Sequence, residues 1–331
     1  MDAYRKNGGR SPTELASANL LSQRLTMLEA IRGTPRPFEV EPKPHDAGFG
    51  GMRAPATVFR SAHSVRSRRV DPGTMSWHEL QSPLPEESAE YLAALLGNDV
   101  ATADHGGGGC YSTILCDGLH VAGVTHTAHH HAHAAGSPSW NTFVRVPSVD
   151  IICHIALSKG GSVRVEPSGI LGLDRRAVIA DPTGATLTII AGGDDRRTVG
   201  AGALGWDELR SLDPMESVRF WCAVFKWTAM PLVGPAGAAR ESQGALFLNG
   251  GVPVASVQRA NDAEPSSRWL PVATVRRDLF DGTMHKAMRA GARVRVAPQP
   301  HALLTRLAIV LDPTGAEIAI GAEPSGAIAA A

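Results

Sequence analysis

Two glutamates occupy the same position in a repeated pattern, Trp-x-Glu-Leu. The first copy holds Trp77 and Glu79, and the second holds Trp206 and Glu208. Both stretches are predicted strands, in which alternate side chains share a face, so each tryptophan lies beside its glutamate and the leucine lies opposite. A carboxylate that apolar neighbours remove from water has a raised pKa and can exchange protons at neutral pH. Glu79 is therefore the candidate general base or acid.

A structural role for the two glutamates is an equal alternative, because both copies carry the residue. In that interpretation Glu79 and Glu208 are each paired with an arginine, such as Arg145 or Arg210. Buried carboxylates generally need such a partner. The sequence alone leaves catalysis and ion pairing both open.

A dense run of histidines is the other feature of chemical interest. His126, His129, His130 and His133 fall within one short segment that contains two pairs spaced i, i+4. Imidazole is a good ligand for zinc, copper or nickel, so the segment could chelate a metal if it became helical. No carboxylate or thiolate lies in the run, and the following Ala-Ala-Gly-Ser-Pro is typical of a loop. The alternative is a polar loop beside a ligand site.

Composition argues against several classes of function. Lys plus Arg and Asp plus Glu both number 32, so no net positive field attracts nucleic acid or an anionic membrane. The cysteines are too few and too scattered for a disulfide framework, which favours a reducing cytoplasm. No apolar run approaches the roughly 20 residues that span a bilayer. The excess of arginine over lysine suggests a bacterial source.

The chain repeats itself at a nearly constant offset. The opening tryptophans give 206 − 77 = 129, and the aspartates of two Asp-Pro-Thr-Gly-Ala turns give 312 − 181 = 131. Two copies of one domain are therefore predicted, at residues 73–195 and 203–322. Within each copy the order strand, helix and further strands occurs twice. The predicted fold class is α+β, with βαβββ units throughout.

Residues 1–72 form a separate N-terminal extension. Ser11, Pro12 and Glu14 resemble a helix start, and leucines follow at helical spacing, so a helix is predicted over about 12–32. One helix cannot bury its own apolar stripe, so it should dock on a domain or on a second subunit of a homodimer. A Pro/Gly/Arg-rich linker follows, up to residue 72.

The order of elements, the Trp-x-Glu-Leu openings and the two Asp-Pro-Thr-Gly-Ala turns resemble the vicinal oxygen chelate superfamily, which includes glyoxalases, bleomycin-resistance proteins and extradiol dioxygenases. The resemblance is closest to bacterial proteins with two tandem glyoxalase-like domains, and it covers about residues 73–322. It implies that two βαβββ units of each domain form a cupped half-barrel sheet that holds the ligand. Fold alone does not name a reaction.

The resemblance also implies where a metal would bind, on the first strand and the last strand of each unit. In the first domain these positions fall on Trp77, Ala122, Asn141 and Thr188. In the second domain they fall on Trp206, Ala255, Leu270 and Ala319. Indole, methyl and isobutyl groups offer no lone pair to a cation, so no cofactor is predicted in either cup. A divalent metal is not excluded, because the histidine run could bind one.

Strand alternation, counted from an inward Trp77, assigns the side chains that should contact a ligand. They are Trp77, Gln81, Tyr111, Asn141, Phe143, Arg145, Thr188, Glu208 and Arg210. The last two belong to the second domain, which has fewer inward polar groups and could serve as a scaffold. Aromatic walls with a few directional polar groups suit a flat, oxygen-rich molecule. The expected partner is an aromatic or polyketide-like small molecule.

Three functions are consistent with the sequence. The first is a metal-independent enzyme of bacterial natural product biosynthesis, in which Glu79 moves a proton during isomerisation, cyclisation, elimination or hydrolysis of a polycyclic or polyketide-like intermediate. The second is an antibiotic resistance protein of the bleomycin-binding kind, which only sequesters its ligand. The third is a metalloenzyme, a dioxygenase or lyase, that uses the histidine run.

Overall fold

The computed structural model describes both repeats. The described residues are 72–96, 99–104, 110–116, 119–127, 137–169, 174–192, 204–232, 244–261, 264 and 266–323. The helix predicted at about 12–32 and the linker that follows it lie outside these residues.

The first repeat forms one eight-stranded sheet from two βαβββ units. The first unit comprises β1 (Met75–Ser82), α1 (Pro85–Leu96), β2 (Asp99–Asp104), β3 (Cys110–Cys116) and β4 (Leu119–His126). The second comprises β5 (Ser139–Arg145), α2 (Val149–Ser158), β6 (Ser162–Ser168), β7 (Asp174–Ala180) and β8 (Thr186–Gly192). The strand order is β2-β3-β4-β1-β5-β8-β7-β6. The units meet where β1 and β5 pair antiparallel, and each unit's first strand pairs parallel with its last.

The second repeat builds an equivalent sheet in the order β10-β11-β12-β9-β13-β16-β15-β14. Its first unit comprises β9 (Leu204–Ser211), α3 (Pro214–Phe225), β10 (Thr228–Pro231), β11 (Gly244–Asn249) and β12 (Val252–Arg259). Its second comprises β13 (Arg268–Val275), α4 (Phe280–Arg289), β14 (Arg293–Pro300), β15 (Arg306–Leu311) and β16 (Glu317–Ala322). The predicted α+β fold class, with two βαβββ units in each repeat, is confirmed. Among the described residues, no helix is long and apolar enough to cross a membrane.

The helices cover one face of each sheet, and the two domains pack together through these faces. Helix α1 contacts α4, and α2 contacts α3. Helix α3 begins at Pro214, where the Asp213 side chain accepts the backbone N–H groups of the first turn at 3.1 Å. Its buried side chains include Trp221, whose ring lies 5.8 Å from that of Trp269 at their centroids. The two hydrophobic cores between the sheets therefore combine side chains from both domains. The opposite, concave faces are left to form the cups.

The two Asp-Pro-Thr-Gly-Ala turns tie one domain to the other. In the first, Asp181 Oδ1 accepts the backbone N–H of Ala185, while Oδ2 accepts the hydroxyl of Ser217 at 2.7 Å and the indole N–H of Trp221 at 3.1 Å. In the second, Asp312 Oδ2 accepts the hydroxyl of Ser88 at 2.8 Å. Burial raises the pKa of Asp181. The sequence pattern of these segments predicts only turns. In the structure, their aspartates also form hydrogen bonds between the two domains.

A second tie joins equivalent residues of the two repeats. His78 Nε2 lies 2.9 Å from Asp207 Oδ1, and both side chains are buried. Each residue follows the tryptophan of its Trp-x-Glu-Leu pattern and points to the helix side of its sheet. Strand alternation predicts this direction for His78, which takes that histidine away from the first cup.

Candidate functional site

The concave face of the first sheet carries the side chains that the sequence predicts for a ligand site. In the antiparallel β1–β5 pair, Trp77 lies opposite Phe143, Glu79 opposite Asn141 and Gln81 opposite Ser139. Residues two apart on a strand share a face, so these pairs form three successive rungs of one surface. Arg145 and Thr188 extend the same face, since Phe143 pairs with Thr188 on β8. The substrate contacts assigned to these residues remain predictions.

Tyr111 reaches Glu79 across a glycine. A Cβ atom on Gly123 would overlap the Tyr111 hydroxyl, so only glycine lets the phenol lie flat over β4. The indole Nε1 of Trp77 donates to Tyr111 Oη at 3.2 Å, and the Tyr111 hydroxyl hydrogen-bonds the Glu79 carboxyl group. Burial is the largest influence that raises the pKa of Tyr111, and the negative charge of Glu79 adds to it. Tyr111 therefore keeps its proton and can act as a donor to Glu79.

Glu79 is a buried carboxylate with a raised pKa. Only 5% of the residue is exposed. Burial raises the pKa and outweighs the positive charge of Arg176 and the hydrogen bonds from Tyr111 and Asn141, which lower it. The arginine near Glu79 is thus Arg176, not the Arg145 suggested by the sequence, whose Nη1 donates to the Gly192 carbonyl at 2.6 Å.

Arg176 is the site residue that sequence reasoning missed. It lies on β7 opposite Ile190 of β8, which places it on the concave face. The available signal was strand parity: Val178, two residues further on, lies opposite Thr188, and Thr188 was already assigned to the cup. Applying the same alternation to β7 would have included Arg176.

The Gln81–Ser139 rung holds polar atoms that the described residues leave unsatisfied. Gln81 is 1% exposed, and its Nε2 donates to no acceptor within the described part of the chain. The same holds for the buried Oγ of Ser139. Unpaired buried polar groups are rare in folded proteins and call for an explanation.

The second cup is filled by the protein itself. Trp206, Leu270, Leu303, Leu304 and Leu307 pack together in it. Leu304 approaches Gly321 so closely that a Cβ there would lie 2.5 Å from the leucine Cδ1. The five-residue connection from β14 to β15 thus occupies the space in which a ligand would sit.

Glu208, the counterpart of Glu79, is held in a network of charges. Its carboxylate lies 2.6 Å from His301 Nε2 and accepts from Arg210 Nη1 at 3.2 Å. Arg210 also bonds Glu264 at 3.2 Å. Although burial alone would raise the pKa of Glu208, His301 and Arg210 together lower it. Glu208 and Arg210 therefore satisfy each other and lie under the apolar filling, away from any ligand in the first cup.

Similarity to known proteins agrees with this architecture. No family profile matches the chain. It is 28% identical over 268 residues to the anthracycline biosynthesis protein DnrV of Streptomyces peucetius, covering 76% of this chain and 94% of DnrV. It is also 28% identical over 255 residues to the glyoxylase-like protein CFP32 of Mycobacterium tuberculosis, covering 74% of this chain and 92% of CFP32. A Mn(II)-bound glyoxalase from Novosphingobium aromaticivorans superimposes with a TM-score of 0.51 at 12% identity, covering 76% of this chain and 84% of the glyoxalase.

The chain has the fold of the vicinal oxygen chelate superfamily, with two tandem glyoxalase-like domains.

Two of the metal positions assigned from the resemblance to this superfamily need correction. β4 pairs with β1 so that Gly123, not Ala122, lies beside Glu79. In the second domain Ser256, not Ala255, lies beside Glu208. Both alanines belong to the cores between sheet and helices. A one-residue error along a strand moves the side chain to the other face.

The corrected positions do not fit the metal of the superfamily. In the first cup they hold the indole of Trp77, no side chain at Gly123, the amide of Asn141 and the hydroxyl of Thr188. Asn141 already bonds Glu79, and divalent transition ions favour imidazole, thiolate or carboxylate ligands. Vicinal oxygen chelate chemistry through a bound ion therefore has no suitable ligand set among these residues.

The histidine run lies almost wholly beyond the described residues. His126 ends β4, whereas His129, His130 and His133 fall outside them. Within the described part of the chain, no three His, Cys, Asp or Glu side chains converge as metal ligands would.

Proposed function

We propose that the first cup binds a polycyclic, polyketide-type ketone of bacterial specialised metabolism and that Glu79 transfers a proton on it without a metal ion. Isomerisation, cyclisation and elimination all require such a transfer. We also propose that the protein works in the bacterial cytoplasm with this small molecule as its partner.

The contrast between the two repeated glutamates carries the proposal. Glu79 and Glu208 occupy equivalent positions, yet the pKa of Glu79 is raised and that of Glu208 is lowered. A buried carboxylate in a concave site whose pKa is perturbed by burial is a candidate functional group, whereas ion partners are typical of a structural one. Glu208 has the arginine and histidine that a structural carboxylate needs, while Glu79 has mainly neutral donors and one arginine.

The neighbours of Glu79 suit a proton-transfer step. As a base, the Glu79 carboxylate takes a proton from a carbon of the ligand, the C–H bond breaks, and its electron pair passes into the adjacent carbonyl group. Tyr111, which keeps its proton, and Asn141 hold the carboxylate in place by donating to it. Return of the proton to a different carbon completes an isomerisation. A positioned acid or base of this kind contributes typically 10²–10⁴-fold to a rate.

The relatives support the class of ligand. DnrV is named for anthracycline biosynthesis, and anthracyclines are polycyclic aromatic ketones. Trp77 and Phe143, which lie opposite each other on the concave face, offer flat apolar walls for such rings.

Glu79→Gln tests the proposal. The protein is incubated in D₂O with a panel of anthracycline-type polyketide ketones, and mass spectrometry follows both product formation and deuterium uptake. We expect the wild type to convert more than one equivalent of at least one compound, and Glu79→Gln to lose at least about 100-fold of that rate. The matched control is Glu166→Gln, because Glu166 is exposed and lies near Cys153 on the helix side of the sheet.

Two outcomes would contradict the proposal. Full activity of Glu79→Gln would exclude Glu79 as the proton carrier. Tight binding of a panel compound without product or deuterium uptake would instead favour the sequestration function, in which the cup only holds its ligand.

A further inference from the structure

The unsatisfied polar atoms of the Gln81–Ser139 rung point to the chemistry of the ligand. Gln81 and Ser139 are direct cross-strand partners on β1 and β5. Both carry a buried polar atom without a hydrogen-bond partner among the described residues. Burying a side-chain amide without an acceptor for its N–H group costs free energy unless a bound molecule supplies that acceptor.

The arrangement is specific to the first cup. In the second domain the position of Gln81 is taken by Arg210, which bonds Glu208 and Glu264. The position of Ser139 is taken by Arg268, which bonds Glu317. Both arginines of the second cup thus bond carboxylates of their own domain, whereas Gln81 Nε2 has no acceptor among the described residues.

The rung lies next to Glu79 on the same face. Residues two apart on a strand are separated by roughly 7 Å, which is within the width of a fused-ring molecule. Glu79 and Gln81 are therefore spaced so that one fused-ring molecule on this face could contact both side chains.

We propose that Gln81 and Ser139 form a carbonyl-binding subsite, in which Gln81 Nε2 donates to a ketone or quinone oxygen of a fused-ring ligand and Ser139 Oγ bonds the same oxygen or a hydroxyl beside it. The inference rests on the proposed function, because it assigns the oxygen that would take the electron pair when Glu79 removes a proton.

A matched pair of chemical probes tests the subsite. 9,10-Anthraquinone-2-sulfonate and anthracene-2-sulfonate share the ring frame and the charge, and only the first has carbonyl groups. Isothermal titration calorimetry on the full chain measures both affinities. We expect the wild type to prefer the quinone, and Gln81→Met to bind the quinone about tenfold more weakly while its affinity for the anthracene is unchanged.

A second measurement separates a lost hydrogen bond from a damaged fold. Because Gln81→Met removes an unsatisfied buried amide, we expect the ligand-free variant to melt about 2–4 °C above the wild type. The control is Gln299→Met, the same change at an exposed glutamine of β14, which should leave both affinities unaltered. A lower melting temperature for Gln81→Met would show that the amide is bonded within the protein and would overturn the inference.

The outcomes also separate this inference from the proposed function. Equal affinity of the wild type for both probes, binding of neither, or an unchanged quinone affinity in Gln81→Met would overturn the subsite whatever Glu79 does. A selective loss of quinone binding in Gln81→Met would support the subsite, even if Glu79→Gln kept full turnover and proton transfer by Glu79 had to be abandoned.

Discussion

Gly123→Ala should slow proton transfer in the first cup by displacing Tyr111 from Glu79. The added methyl group would overlap the Tyr111 hydroxyl, and the phenol is the free end of a side chain that can swing aside. The fold should therefore tolerate the change. Swinging aside breaks the 3.2 Å bond from Trp77 Nε1 and the bond from Tyr111 to Glu79.

The size of the effect follows from the lost donor. A hydrogen bond to a charged group is worth about 1.5–3 kcal/mol, and each 1.4 kcal/mol corresponds to a tenfold change. Because the Tyr111 bond lowers the pKa of Glu79, its loss should raise that pKa further. At a pH below the new pKa, the carboxylate population and the proton-transfer rate should fall roughly 10- to 100-fold.

The assay follows the Glu79 carboxyl group directly. Protein labelled with ¹³C in its glutamate carboxyl groups is titrated by NMR, and the Glu79 signal is the one missing from Glu79→Gln. In Gly123→Ala and in Tyr111→Phe, this signal should titrate at higher pH than in the wild type. Gly282→Ala is the control, since a Cβ at this position in α4 meets no atom within 4 Å. An unchanged or lower Glu79 pKa in Gly123→Ala would refute the reasoning.

Two further predictions concern stability. Ser217→Ala removes the 2.7 Å hydrogen bond to Asp181 between the domains, and denaturant unfolding should show a loss of about 1–3 kcal/mol, whereas Ser266→Ala at an exposed position should show almost none. For Glu79, the raised folded-state pKa means that stability declines as pH rises from 4.5, the ordinary pKa of a glutamate, through the folded pKa. Glu79→Gln should therefore be more stable than the wild type at pH 7 and lose this advantage below pH 4.5. A stability difference that does not change with pH would contradict a raised pKa of the buried Glu79.

Local pattern predicts the face of a strand but not its register against a distant one. The alternation in Trp77, Glu79 and Gln81 places all three on the concave face, because side chains along one strand obey a period of two. The partner on β4 depends on how β1 and β4 are aligned. That alignment is set by the turns between them and by core packing, so the sequence assigns Ala122 where the structure has Gly123.

Two of the four edge strands, β2 and β10, are not predicted because their sequences lack a strand pattern. β2 (Asp99–Asp104) consists of small and polar residues, and the described part of it is exposed. β10 (Thr228–Pro231) is short and ends in proline. Both are held mainly by backbone pairing with one neighbour, which hydrophobic periodicity does not report.

Contacts between the domains also could not be predicted from the sequence. The Asp-Pro-Thr-Gly-Ala pattern predicts a turn, since aspartate closes it on its own backbone. Nothing local indicates that the second carboxylate oxygen of Asp181 meets Ser217 and Trp221. Likewise, His301 carries no motif, and it becomes significant only because the connection before β15 folds into the second cup.

The two cups surround the repeated glutamate in different ways. Where Arg210 replaces glutamine and Leu270 replaces asparagine, Glu208 is neutralised by its neighbours and the cup closes over it. Where Gln81 and Asn141 stand instead, burial outweighs the charge of Arg176, and the pKa of Glu79 is raised. A buried carboxylate and an unpaired amide both reduce stability. The filled second cup and the ties between the domains stabilise the protein and can offset that loss, so we expect the second domain to act as a scaffold for the first cup.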